Sequence, residues 1–166
     1  MCILNIYENS RPSISYEIFA GGSGASSVND GLTGCHVNQT NGRITPIEIL
    51  ESEYPLRILE FSVLKGSGGR GLHLGGDAFR RVYQSLEDGI RLSIRSSRHQ
   101  IPPRGVNGGQ DGMPGNAILD PYGQSSTVSS REVNIPLNSG HTFALDTPSG
   151  GGCGRVNDSS VVVKVA

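Results

Sequence analysis

Residues 66 to 76, GSGGRGLHLGG, carry six glycines in eleven positions, and three further clusters repeat the theme: GGSGA (21–25), PPRGVNGGQDGMPG (102–115) and TPSGGGCG (147–154). Glycine takes 24 of the 166 positions, about twice the usual share of ~7%. Inside a helix each glycine costs about 0.5–1 kcal/mol relative to alanine, so a helical body is excluded over most of the chain. A glycine loop serves one of two ends. Its N–H groups cradle a phosphate, or its backbone turns, or is approached, too closely for a side chain. The phosphate use finds little support. No G-x-x-x-x-G-K-[ST] occurs, and a dinucleotide fingerprint needs a helix after its last glycine, whereas Gly76 leads into the strand-like DAFRRVYQSLE. The clusters read instead as tight turns and bulges joining strands, and their number implies systematic close packing of backbone.

Between the clusters, apolar residues alternate with polar ones in short runs: 14–19, 57–64, 78–87, 89–97, 116–120, 131–137, 141–148 and 161–166, each bounded by Gly, Pro, Asn or Ser. A period near two is the signature of half-buried strands, so the expected fold is mainly β, of short antiparallel strands. One short helix is expected over 46–53, within TPIEILESEY. Thr45 is placed as its N-cap, Pro46 as its first residue and Glu48 as the capping-box partner, with Pro55 ending it. No period of 20 to 50 residues recurs, which excludes a simple solenoid or propeller. QSSTVSSRE reads as an exposed loop. The length suits one domain with a sizeable core. Residues 1–15 are expected as a lead-in and 16–166 as the domain.

Lys plus Arg number 14 against 15 Asp plus Glu, a net charge of -1, and no basic stripe is interleaved with aromatics. Nucleic acid and anionic membrane are therefore set aside, and small molecules or proteins are the expected partners. No apolar run approaches the ~20 residues of a membrane span, and the start MCILNIYENSRP lacks a basic region followed by a long apolar core, so a cytoplasmic location is expected. Cys2, Cys35 and Cys153 are odd in number, far apart and without C-x-x-C spacing, which argues against a disulfide framework and a zinc knuckle. There is no G-x-S-x-G elbow and no H-E-x-x-H.

The polar stretch GCHVNQTNGRITPIEILE gathers His36, Asn38, Thr40, Glu48 and Glu51. In extended backbone His36 and Asn38 point to one side and can face one cleft. Their polarity beside a glycine turn makes His36 a candidate proton carrier or ligand, and Asn38 and Thr40 candidate hydrogen-bond donors to a substrate. A structural histidine is the competing reading of His36. The stretch has too few carboxylates and imidazoles at set spacing to hold a metal, so no metal ligand is assigned. His73, His99 and His141 each stand alone near a glycine turn or strand end. SSRHQIPPRG offers Arg95, Arg98 and Arg104, which can hold a carboxylate or scatter as solvated charges.

The order of the pieces is YEIFAGGSGA, then DG, then H-x-N-x-T with TPIEILE and YPLRI. GSGG-x-G-x-x-x-GG follows, then SSR with PPRG-x-x-GG-x-x-G, then TPSGGGCG. This order, from about Tyr16 to Gly154, resembles the carboxyl-terminal part of the hydantoinase B/5-oxoprolinase family, and that of the acetone carboxylase subunit within it. The resemblance implies part of an ATP-dependent cyclic amide hydrolase of 5-oxoprolinase or N-methylhydantoinase type. There a hydantoinase A-type subunit or domain activates 5-oxoproline or a hydantoin with ATP, and the B component completes the hydrolysis. The related carboxylases apply the same two-part logic to a ketone. ATP and a divalent metal are expected in the complete enzyme and no cofactor on this chain. A homo-oligomer is a further expectation. Family B proteins run to several hundred residues, so the chain looks like a fragment or split subunit, with family residues for metal and substrate expected in a missing amino-terminal part. It departs from the family at Leu74, where an arginine is usual, and at Ser149, which interrupts a glycine run. Two alternatives stand beside the enzyme reading. One is a non-catalytic assembly module, and the other a decayed fragment inactive alone, with Ile3, Ile6 and Ile14 exposing surface.

Overall fold

In the computed structural model, which describes residues 2–8, 14–36 and 42–156, the alternating runs become strands. The elements are β1 (Cys2–Glu8), β2 (Ile14–Phe19), α1 (Ile47–Glu53), β3 (Leu56–Leu64), β4 (Ala78–Ser85), β5 (Ile90–Ser96), β6 (Asn116–Leu119), β7 (Ser126–Thr127), β8 (Ile135–Leu137) and β9 (Thr142–Asp146). They form two antiparallel sheets, one of order β2-β1-β5-β8 and one of order β3-β4-β9-β6-β7. The fold is thus mainly β with one short helix among the described residues, as the glycine content and the period of two require. No helix of the described residues is long and apolar enough to cross a membrane.

The inner faces of both sheets meet in a single apolar cluster. Leu4, Ile6, Leu92 and Leu137 come from one sheet, and Tyr83, Phe143, Leu145 and Ala117 from the other, with Leu50 of α1 and Leu56 at the end. Ile6, expected among exposed apolar residues, is fully buried, while Ile14 is exposed. The alternation of β1 explains this: Leu4 and Ile6 face inward as Ile3, Asn5 and Tyr7 face outward. Residues 2–8, expected as lead-in, pair with β2 on one side and β5 on the other.

Three expectations need correction. The helix begins at Ile47, with Pro46 still extended (φ -53°, ψ 142°) in the N-cap position and no side-chain cap bond, so neither Thr45 nor Glu48 caps it. Its register is set from the other end. Leu50 is fully buried, and Glu51 accepts the Ile58 N–H of β3 at 2.7 Å. The run 131–137 is a strand only over Ile135–Leu137, because Asn134 has φ 60°, a conformation a strand cannot continue through. Ser126 and Thr127 of the expected loop form β7. The run 161–166 lies outside the described residues.

The four glycine clusters pack against one another. Residues 148–153 form the centre, and the chain is buried without a break from 142 to 153. Around this centre lie residues 21–25 (Gly22 N–H to Pro148 O, 3.1 Å; Ala25 N–H to Gly151 O, 2.9 Å), 67–76 (Gly69 N–H to Gly150 O and Gly150 N–H to Gly76 O, both 2.8 Å) and 103–113 (Gly152 N–H to Gln110 O and Val106 N–H to Gly152 O, both 2.9 Å). Side chains cannot fit. A Cβ on Gly150 would stand 1.8 Å from Ser23 O, and one on Gly22 1.9 Å from Gly76 O. Ser149, the residue interrupting the glycine run, is buried and satisfied: its Oγ accepts Met113 N–H at 2.6 Å and donates to Ser67 O at 2.7 Å. One hydroxyl thus ties three clusters together.

This bundle decides the use of residues 66–76. Ser67, Gly69, Leu72, His73, Gly75 and Gly76 donate their N–H groups to carbonyls of the bundle or its neighbouring turn, and Gly68 and Leu74 donate to Asp77 and Asp30. Those eight donors are occupied within the protein, which is the use of tight turns and close backbone packing.

Candidate functional site

An open cleft of about 360 Å³ lies over the bundle, with Gly21–Gly24 and Pro148–Gly151 as its floor and Phe19, Ala20 and Pro103 on its walls. Its rim carries Cys35, His36, Arg98 and Arg104. Three loops bring them together. The turn after the Gly22–Thr33 bridge delivers Cys35 and His36, the loop leaving β5 delivers Arg98, and the 103–113 segment delivers Arg104. Arg98 sits at φ 66°, an uncommon conformation for a side-chain-bearing residue, and its carbonyl is fixed by the Gly115 N–H at 3.0 Å. Arg104 is placed by the bundle, its carbonyl 2.2 Å from where a Gly151 Cβ would stand.

His36 is half-buried, and both arginines are exposed. No aspartate or glutamate is among the described residues lining the cleft, so its charge is positive and suits an anion. The Cys35 thiol donates to the His36 carbonyl at 3.6 Å. Cys35 and the buried Cys153 are both free thiols. Chemically the rim offers two guanidinium forks for a carboxylate or a developing oxyanion, and one imidazole to move a proton.

Of the residues singled out from the sequence, the structure brings His36, Arg98 and Arg104 to one place. Asn38 and Thr40 lie outside the described residues. Arg95 is elsewhere, opposite Ile3 on β5. His73 pairs with Asp30 (Nδ1 to Oδ1, 3.3 Å), and His141 is exposed. His99 stands against Gly115 with Nε2 buried and unpartnered, and burial pushes its imidazole below the usual range against the opposing pull of Asp146. Among the described residues no three His, Cys, Asp or Glu side chains gather as a metal site would need.

Sequence reasoning missed the buried pair Glu17 and Arg81, 3% and 2% exposed. Arg81 Nη1 donates to Glu17 Oε1 at 3.1 Å, and the Tyr83 hydroxyl donates to Glu17 Oε2 at 2.7 Å. The inward phase of Ser15, Glu17 and Phe19 on β2 was the available signal, since it puts a carboxylate on the core face.

Comparison with known proteins gives the context of this cleft. The family model described as Hydantoinase B/oxoprolinase matches residues 1–156. The 5-oxoprolinase of Dictyostelium discoideum is 40% identical over 142 residues, covering 84% of this chain and 11% of its own length. 5-oxoprolinase 1 of Arabidopsis thaliana is 35% identical over 139 residues, again covering 84% of this chain and 11% of its own length. The chain thus spans about a tenth of these relatives. Among solved structures, the ATP-dependent caprolactamase from Pseudomonas jessenii superposes with a TM-score of 0.71 at 19% identity, over 92% of this chain and 28% of its own. A nucleotide-free acetone carboxylase gives a TM-score of 0.71 at 17% identity, over 93% and 25%. These last two show a shared fold.

Proposed function

This chain belongs to the hydantoinase B/oxoprolinase family, and we propose that it is part of an ATP-dependent cyclic amide hydrolase, with the His36 cleft as the place where it meets substrate. The observation carrying this reading is the convergence of His36, Arg98 and Arg104 over a floor of glycine backbone. Hydrolysis of a cyclic amide puts negative charge on the amide oxygen, then creates a carboxylate and an amine. Arg98 and Arg104 receive the charge, as preorganised donors do in other acyl transfers. His36 carries the proton to the departing nitrogen. Asn38 and Thr40 are proposed as further donors to the substrate. ATP is assigned to a hydantoinase A-type partner and the divalent metal to the rest of the complete enzyme. The relatives named 5-oxoprolinase favour 5-oxoproline as the substrate.

The test is ADP release coupled to glutamate formation when the complete enzyme, partner included, turns over ATP and 5-oxoproline. A His36→Ala variant is expected to lose about 10²–10⁴-fold in kcat, and an Arg98→Ala/Arg104→Ala variant to lose kcat as well, by about 10²-fold or more. Full rate in His36→Ala would sink the assignment. A second reading, a non-catalytic assembly module, draws on the edge strand β3, where Leu59, Phe61 and Val63 are all exposed. It predicts that neither variant changes the rate.

A further inference from the structure

Arg81 is the least satisfied charge in the described chain. The guanidinium is buried between the sheets, with the rings of Phe19, Phe61 and Tyr83 at 5.8, 5.4 and 5.3 Å. Nη1 is engaged with Glu17. Nε and Nη2, the two parallel donors along one edge, have no acceptor. A buried donor left unmade is expensive, more so when charged, so two on one group imply an acceptor still to arrive.

The edge dictates what that acceptor is. Nε and Nη2 together match the two oxygens of one carboxylate. Arg80, the next residue on β4, shows this pairing on its own edge: Nε donates to Asp146 Oδ1 and Nη2 to Asp146 Oδ2, both at 2.7 Å. Arg81 has the same fork and no such partner. Its side chain lines a cleft of about 230 Å³ with Ile44, Pro46, Ile47 and Phe61. Next to it, sharing Ile44 and Phe61, is a cavity of about 330 Å³ whose walls include Ile18 and Phe79. Most of the walls are apolar, with His36 and Arg43 in the cavity and Thr45 in the cleft, and the unpartnered Nε and Nη2 of Arg81 lie closed off from solvent beneath them. Glu48 also lines the cleft but is exposed and makes no bond to Arg81.

We propose that the free edge of Arg81 anchors a second ligand site, taking a small molecule that carries one carboxylate on a flat apolar body. Phe61, 43% exposed and stacked on Phe79 at 5.7 Å, is the side chain that turns to admit it. The carboxylate occupies Nε and Nη2, and the body lies against Phe61, Phe79, Ile18 and Ile44. The cavity shares His36 with the cleft of the hydrolytic reading, but binding there needs neither ATP nor turnover and is read at Arg81.

The probe pair is benzoate and benzamide, equal in shape and different in charge, added to the full ¹⁵N-labelled chain while the arginine Nε–H signals are followed. Benzoate is expected to shift the Arg81 Nε–H resonance and raise Tm, and benzamide to do neither. Arg81→Lys keeps a charge beside Glu17 but has no fork, and is expected to weaken benzoate binding by about tenfold or more. The unmutated chain decides the matter even if the lysine variant does not fold. The proposal is overturned by an Arg81 signal that does not move at about 10 mM benzoate, a concentration above ordinary KM values. An equal response to benzamide, or unchanged affinity in Arg81→Lys, overturns it as well. A fork already taken by Glu48 in solution would appear as the first of these.

Discussion

Replacing Gly150 by alanine tests the glycine bundle most directly. The new Cβ would stand 1.8 Å from Ser23 O, 2.4 Å from Ser23 C and 2.9 Å from Gly76 N, where real Cβ atoms essentially never come within 3.0 Å. All three are backbone atoms, so no rotamer relieves the clash and the segments must part by more than about 1 Å. Three hydrogen bonds cross the gap: Gly69 N–H to Gly150 O (2.8 Å), Gly150 N–H to Gly76 O (2.8 Å) and Gly76 N–H to Ser23 O (2.9 Å). Stretched by that amount they are lost, at about 1 kcal/mol each if water replaces them and up to about 3 kcal/mol each if it does not. The expected destabilisation is therefore about 3–9 kcal/mol, a large part of the 5–15 kcal/mol typical of a domain. The chain has no tryptophan, so urea unfolding is followed by far-UV circular dichroism. Gly123→Ala is the control, because Gly123 is exposed, has nothing within 4 Å of its Cβ position and has no positive φ. It is expected to stay within about 0.5 kcal/mol of the parent. A Gly150→Ala variant that matched this control would refute the packing argument, and with it the reason given for the glycine content.

Ser149→Ala removes the acceptor of Met113 N–H and the donor to Ser67 O, and is expected to cost about 1–3 kcal/mol in the same urea experiment; a loss too small to measure would show that the hydroxyl does not tie the clusters. His99 predicts a pH effect. Burial lowers its folded-state pKa from the ordinary 6.5, so below 6.5 the unfolded chain binds more protons than the folded one and stability falls as pH falls. Above 6.5 the contribution is fully present. His99→Gln is expected to flatten the stability profile just below pH 6.5, and an unchanged profile would show that His99 titrates alike in both states.

What the sequence revealed followed from local periodicity. Ile14–Phe19 is a strand at the residues where polar and apolar alternate, and β3, β4, β5, β6 and β9 match their runs to within one or two residues at each end. The errors occur where something non-local wins. Asn134 cuts short the run at 131–137 through its positive φ, though the residue types alone favour continuation. Thr45 has the chemistry of a cap, but Leu50 and Glu51 tie the helix to β3 in a register that leaves it outside. The site was legible as ingredients only. His36 is 62 residues from Arg98 and Arg104 lies six beyond that, and no period in the chain says that the loops carrying them meet. Arg81 and Glu17 were hidden for a different reason: charged residues in strands normally point outward, and only the inward phase of their neighbours marks them as core.

The closure of the glycine bundle on itself limits what the His36 cleft can do. Gly22, Ser23, Ser149 and Gly150 lie in its floor, and their N–H groups are bonded to Pro148, Leu32, Met113 and Gly76. Those donors cannot turn toward a substrate without breaking bonds that hold the clusters together. Recognition at the cleft therefore falls to the side chains of its rim, above all Arg98 and Arg104, and an anionic group on the ligand matters more than a neutral polar one. The same closure makes those side chains precise. Arg104 sits on a segment whose carbonyl leaves no room for a Cβ on Gly151, with C and O of Arg104 at 2.6 and 2.2 Å from that position. A methyl group at Gly151 would thus displace Arg104 as well as strain the bundle. Glycine here serves chemistry indirectly: it fixes the loops from which the charged residues reach.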